Sequence, residues 1–418
     1  MAEGANLSAL ANEVLHQMTS DEPTCTCDQD GCTPHRLYSS PMDWRVPLAD
    51  LVVDDGDLDA VVDTYRSGWL SMGPRIEQFE REFAEYTGTS HAVAVSSGTA
   101  GLHLMCLAEG FGPGDEVIVP SMTFVASVNA IKYTRATPVF ADIAGPLAPW
   151  LSAQTCEAAI TPRTRAIMYV SYGGHAGELA AVAQLAQSRG LTLLQDAAHA
   201  AGTRLHGAPA ARLGRSAAFS FFSNKNLAIG EGGMITTDDD ELAAKLRLLR
   251  SHGMTTLSWD RHRGHATGYD VVALGFNYRM DEPRAALGSR RLARLDAENA
   301  RRAELDVRYR EKLDGTVACA LAPAAGSDSA HHIFTIVLDD GADRDGFREA
   351  LRREGVQTSV HYPPAHRFSI HSEGAPELPL TDAYGRSTVT LPLFAHMTID
   401  QQDHVIETVS AALAPTNA

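Results

Sequence analysis

Apolar positions recur along this chain in two rhythms, and the switching between them predicts its architecture. Ile76, Phe79, Phe83 and Tyr86 fall at helical spacing, with Glu77, Glu80, Arg81 and Glu82 on the other faces. Seven short apolar runs follow, at residues 91–95, 116–119, 138–141, 166–170, 191–194, 217–222 and 234–237, and read as strands. Between them, residues 99–109, 124–133 and 178–189 read as helices; an earlier short helix, 57–67, stops at Gly68. Strand and helix in alternation predict an α/β fold, a mostly parallel sheet sandwiched by helices. In such sheets ligands bind beyond the carboxyl ends of the strands.

The rhythm loosens after residue 250. Residues 251–268 are polar and rich in Arg and His, a long loop, and 282–313 read as an extended helical passage. A smaller α+β region is expected from segments at 332–338, 344–353 and 359–361 and a final helix near 400–413. Three parts are therefore expected: an N-terminal extension over 1–45, a large domain over 46–290 and a small C-terminal domain over 291–418. A length of 418 residues fits more than one core.

Composition adds exclusions. Hydrophobic residues at 44% and charged ones at 21% are those of a soluble globular chain. A net charge of −17 argues against a nucleic-acid binder, while leaving room for a local basic pocket. Residues 1–20 lack a signal-peptide pattern and no apolar run reaches membrane-spanning length, so a cytoplasmic protein without a membrane partner is expected. Six cysteines in a chain this long make no disulfide framework. Cys25, Cys27, Cys32 and His35 cluster, but their spacing matches no common zinc module, so no metal is expected.

Three stretches carry candidate chemistry. Residues 217–222 deliver Lys225, followed by the turn Gly230, Glu231, Gly232, Gly233. A poorly solvated lysine at a strand end becomes an amine able to form a Schiff base; taken alone, it reads as readily as a strand cap facing water. Ser96, Ser97, Gly98, Thr99, Ala100 and Gly101 join a strand to a helix, so backbone N–H groups can approach a phosphate, or Ser97 simply caps the helix. Asp196 ends an apolar strand three residues before His199. A dry carboxylate needs a cationic partner, such as a protonated pyridine nitrogen, although an Asp here also caps helices. Phosphate cradle, buried acid and strand-end lysine, in that order on one sheet, are together the parts that grip pyridoxal 5′-phosphate (PLP).

The chain resembles the DegT/StrS family of sugar aminotransferases, with the fold type I architecture of the aspartate aminotransferase superfamily. The similarity runs from about Gly73 to Leu413, through the segments 91–100, 112–120, 195–200, 219–226, 275–280 and 361–366. It implies that Lys225 joins the cofactor as a Schiff base and shuttles the proton, and that Asp196 pairs with the ring nitrogen. His199 would lie near the ring hydroxyl, Phe124 would stack on the ring, and Gly98, Thr99 and Ser220 would hold the phosphate. Asn277 would reach the phosphate of a neighbouring subunit, making a homodimer with shared sites. Relatives with histidine in place of the lysine are sugar dehydratases, so Lys225 favours transamination.

The resemblance implies a two-stage reaction, PLP cycling with its aminated form PMP, between an amino donor (Glu or Gln) and a ketone of a sugar nucleotide or cyclitol. His175, where many relatives carry another residue, Arg261 and Arg263 in the long loop, and His361 and Tyr362 are candidate substrate contacts, or structural ones. Arg261 and Arg263 would suit an anionic handle such as a nucleotide diphosphate. A non-sugar ketone or aldehyde substrate, and a PLP-binding regulator without turnover, are the competing readings.

Overall fold

The computed structural model describes residues 44–256 and 268–414. Its centre is a seven-stranded sheet built from β1 (His91–Val95), β2 (Glu116–Pro120), β3 (Thr137–Ala141), β4 (Thr164–Val170) and β5 (Thr192–Asp196), with two later strands. Arg204–Leu205 (β6) and Ala208–Pro209 (β7) form a small separate ribbon; Ser216–Ser220 (β8) and Gly233–Thr237 (β9) return to the main sheet. The order is β1-β9-β8-β5-β4-β2-β3. All strands run parallel except β9, which is antiparallel to both its neighbours.

Alternation along the strands explains why both faces are covered. Val93, Val95, Val117, Val119, Met168, Leu194 and Ile235 pack on one side against the helices Gly98–Ala108, Val125–Tyr133 and Asp240–Arg250. Ala92, Ala94, Ala217, Phe219 and Met234 face the other side, against Pro74–Thr87 and Glu282–Leu292. Ile118, Ile167, Tyr169 and Leu193 continue that side over Leu179–Arg189. The expected parallel, doubly covered α/β sheet is what forms.

A second core gathers around β10 (Ala318–Cys319), β12 (Phe334–Val337) and β13 (Thr388–Leu391), with β11 (Ser327–Asp328) joining β6 elsewhere. Leu305 and Tyr309 of the helix Leu295–Leu313, Leu351 of Arg344–Arg353 and Val405 of Ile399–Leu413 fill it. Val46 also packs here and pairs with Val356. The expected strand at 359–361 is reduced to one bridge, Ser359 with Thr390. No helix among the described residues is long and apolar enough to cross a membrane.

Candidate active site

Carboxyl ends of β1, β2, β4, β5 and β8 converge on a cavity of about 440 Å³. Of the cofactor residues expected from sequence, Gly98, Thr99, Phe124, Asp196, His199, Ser220 and Lys225 all line it. Asn277 does not; it is exposed, outside this chain's own cavity. A larger cleft of about 930 Å³ runs along the edge strand β3 and contains none of these groups.

The loop after β1 is shaped as an anion cradle. Ser97 caps the helix, its hydroxyl accepting from the Ala100 N–H at 3.1 Å. Gly98 and Thr99 precede the first intrahelical bond, so their N–H groups remain available at the positive end of the helix. A Cβ at Gly98 would stand 2.9 Å from the Ser220 Cβ, so only glycine lets the loop and the end of β8 approach this closely. Amide donors beside a serine hydroxyl suit a phosphate.

Asp196 ends β5 fully enclosed. Its Oδ2 accepts from Ser127 Oγ at 2.6 Å and its Oδ1 from the Ala198 N–H at 3.1 Å. Burial raises its proton affinity, and the two hydrogen bonds and the Lys225 charge oppose that rise. A buried carboxylate braced by neutral donors is suited to a cation in the cavity, such as a ring N–H⁺. Ser127 was not singled out from sequence; its place three residues beyond Phe124, on the helix over the cavity, is the only local signal.

Lys225 follows β8 through a tight turn in which its own N–H donates to Phe222 O at 2.8 Å. Its side chain borders the cavity, hence its half-buried surface, yet it lies deep enough that burial pushes its pKa down to about 8, against the upward pull of Asp196. Beside it, 3.4 Å from Nζ, stands Nε2 of the buried His332.

The surrounding hydrogen bonds decide the tautomer of each neighbouring histidine. Ala330 O and Ala201 O can only accept, so Asn226 Nδ2 faces Ala330 O at 2.6 Å and Asn299 Nδ2 faces Ala201 O at 2.9 Å. Asn226 Oδ1 is then an acceptor for His332 Nδ1–H at 2.9 Å, which leaves His332 Nε2 as a lone pair toward Lys225. His199 has the opposite tautomer: Nδ1 accepts from the Gly173 N–H at 3.2 Å, so Nε2–H donates to the Tyr362 hydroxyl at 3.0 Å. The two rings lie 4.2 Å apart, and burial holds both pKa values well below the ordinary histidine value, helped by the nearby Lys225 charge. Asn226 and His332 were both missed by sequence reasoning, although Asn226 directly follows the candidate lysine.

Candidate substrate residues separate. His361 and Tyr362 line the cavity; burial and Lys225 push His361 down to about 4, and its Nδ1 meets Thr390 Oγ1 at 2.9 Å. Phe124, 55% exposed, forms an open aromatic wall, its ring 5.8 Å from that of Tyr362. His175 is buried outside the cavity, stacked on Trp150 with ring centres 6.3 Å apart. Arg261 and Arg263 lie outside the described residues, as do Cys25, Cys27, Cys32 and His35.

Residues 52–410 match the model of the DegT/DnrJ/EryC1/StrS aminotransferase family. The chain belongs to this family. The spore coat polysaccharide biosynthesis protein SpsC of Bacillus subtilis is 40% identical over 375 residues, covering 87% of this chain and 96% of that protein. The crystal structure of the aminotransferase TlmJ from Streptoalloteichus hindustanus superposes with a TM-score of 0.83 at 34% identity, over 89% of this chain and all of that one (100%). Spr1654 from Streptococcus pneumoniae in its PLP form gives 0.82 at 28%, covering 88% and 98%. DegT/StrS aminotransferases are PLP-dependent transaminases of fold type I, so this chain is a PLP-dependent enzyme of the sugar aminotransferase family.

Proposed function

We propose that this aminotransferase takes an amino group from glutamate or glutamine and delivers it to a ketone of a nucleotide-linked sugar or a cyclitol, in a specialised biosynthetic route in the cytoplasm. The observation that carries the reading is one cavity shared by Lys225, Asp196 and the Gly98–Thr99–Ser220 cradle. SpsC, named for polysaccharide biosynthesis, supports the sugar class.

When bound, PLP supplies a carbonyl carbon that exchanges amines and an electron-poor ring that spreads negative charge. Lys225 Nζ would be the amine that holds the cofactor, and its position suits it to move a proton at the reacting carbon. Its lowered pKa keeps part of it as amine near neutral pH. Asp196, aimed by Ser127, offers a negative oxygen to the ring N–H⁺. The amides of Gly98 and Thr99 and the Ser220 hydroxyl would hold the phosphate, and Phe124 would supply an aromatic wall for the ring. Neutral His199 and Tyr362 offer polar contacts near the ring hydroxyl. His332 Nε2 accepts from Lys225 Nζ at 3.4 Å.

The exposed Asn277 supports donation to a second subunit's phosphate and hence a homodimer with shared sites. Arg261 and Arg263 are proposed to hold a diphosphate handle; unchanged substrate affinity in Arg261→Ala would count against that role. The full reading is tested by offering the PLP-loaded protein a panel of amino donors and keto acceptors, following cofactor absorbance and product mass. Glutamate or glutamine should bleach the absorbance, a keto sugar nucleotide or keto cyclitol should restore it, and Lys225→Ala should abolish both. Turnover confined to non-sugar aldehydes would replace the acceptor class, and absence of any half-reaction would leave a cofactor-binding regulator.

A further inference from the structure

Lys225 stands between two cavities. It lines the cofactor cavity and also a second one, again of about 440 Å³, on the side facing the helix Leu295–Leu313. His332 lines the second and not the first. Among the described residues it is nevertheless the one hydrogen-bond partner of the lysine amine, with Nε2 3.4 Å from Nζ. The lone pair at Nε2 is enforced by its surroundings. Asn226 Nδ2 donates to Ala330 O at 2.6 Å and to Asn299 Oδ1 at 2.7 Å, so the amide cannot turn over. Asn226 Oδ1 must then face His332 Nδ1–H, at 2.9 Å. Burial, helped by nearby His199, Lys225, His361 and Arg302, holds the imidazole neutral.

A released lysine has use for such an acceptor. When an incoming amine takes over the carbonyl carbon, the bond from that carbon to Nζ breaks. Two hydrogens pass from the incoming nitrogen to Nζ, which leaves as a free amine. It then has to stay close, both to move a proton and to return. A carboxylate beside it would favour the ammonium and hold the proton there. An imidazole lone pair accepts from amine and ammonium alike, so the lysine is held while its proton remains exchangeable.

We propose that His332 is a positioning residue, the resting place of the Lys225 amine whenever that amine is not joined to the cofactor. The role is the same for any amino donor or keto acceptor, so it stands or falls apart from the proposed substrates. The test compares the PLP-loaded and PMP-loaded enzyme by nitrogen NMR with isotope-labelled histidine, the His332 signals being assigned by their loss in His332→Gln. Nδ1 should carry the hydrogen in both forms, and the Nε2 signal should move upfield in the PMP form, where Lys225 is free. In the PMP-loaded enzyme, labelling of Lys225 by a neutral amine-reactive ester should quicken roughly tenfold in His332→Leu, which loses an acceptor for an ionisable amine. His332→Gln, whose side-chain oxygen can stand where Nε2 stands, should label like the wild type. An Nε2 signal unmoved between the two forms overturns the resting place, as does unchanged labelling in His332→Leu. Labelling of His332→Gln as fast as that of His332→Leu would make the effect one of packing and overturn it too. If His332→Leu does not fold, the two wild-type spectra decide.

Discussion

Lys225 loses its proton near pH 8 because its ammonium is poorly hydrated beside the cavity, and Asp196 resists that loss. In the cofactor-free protein, labelling of Lys225 by a neutral amine-reactive ester, read by mass spectrometry, should rise with pH through a midpoint of about 8. Asp196→Asn removes the charge that favours the ammonium, so the midpoint should move lower. A midpoint near the ordinary lysine value, or a shift upward in Asp196→Asn, would contradict this account. The lysine and the aspartate were legible in sequence because their types carry chemistry wherever a strand buries them. His332 was not, since its role depends on Lys225, 107 residues away, and on the amide of Asn226 that selects its tautomer. Ser127 escaped for the same reason: a serine over a helix means little until the carboxylate it orients is known. His175 shows the converse, a polar residue whose motif position allowed either a substrate contact or a structural role, and which is stacked on Trp150 in the interior.

Among the elements, the join between β1 and its helix tolerates little added bulk. Gly98→Ala puts a methyl group 2.9 Å from Ser220 Cβ, and one side of the cradle has to shift. Such overpacking costs about 1–3 kcal/mol, and we expect PLP affinity to fall by roughly tenfold or more, read by fluorescence titration. Gly112→Ala, with no atom within 4 Å of the added carbon, should leave it unchanged. The seven strands were legible because their apolar runs are bounded by turns. The edges were less so. β8 stops at Ser220 rather than continuing to residue 222: the Phe221 N–H still reaches its register partner Gly232 O, but the Phe221 carbonyl is taken by the Ile229 N–H. The helical passage at 282–313 divides at Ala293 and Arg294 into two helices. Four-residue β13 and the helix Pro379–Ser387 before it passed unseen, too short for a period to show.

Over the whole molecule, Val271, Val272 and Leu274 are exposed, Leu274 at 90%, in the segment leading to Asn277. An apolar stretch beside a residue proposed to serve the other subunit suits the self-association that the proposed homodimer requires. Leu274→Glu should lower the dimer fraction in sedimentation at micromolar concentration and reduce PLP retention along with it; a dimer of undiminished stability would remove this surface from consideration. The N-terminal segments of the large sheet, however, raise a different matter. Among the described residues, β1 has no neighbour but β9, His91 pairing with Thr237 and Val95 with Gly233. Gly233 also packs under the cradle, where a Cβ would stand 2.6 Å from the Ser97 carbonyl carbon. A chain leaving the ribosome therefore exposes Gly98 long before the strand that seats it exists. Non-local pairing of this kind is closed late, after the loop between the partners has been synthesised. Nascent chains that end before β9 would carry Gly98 with no finished seat for the phosphate, so cofactor capture has to wait for completion of the sheet.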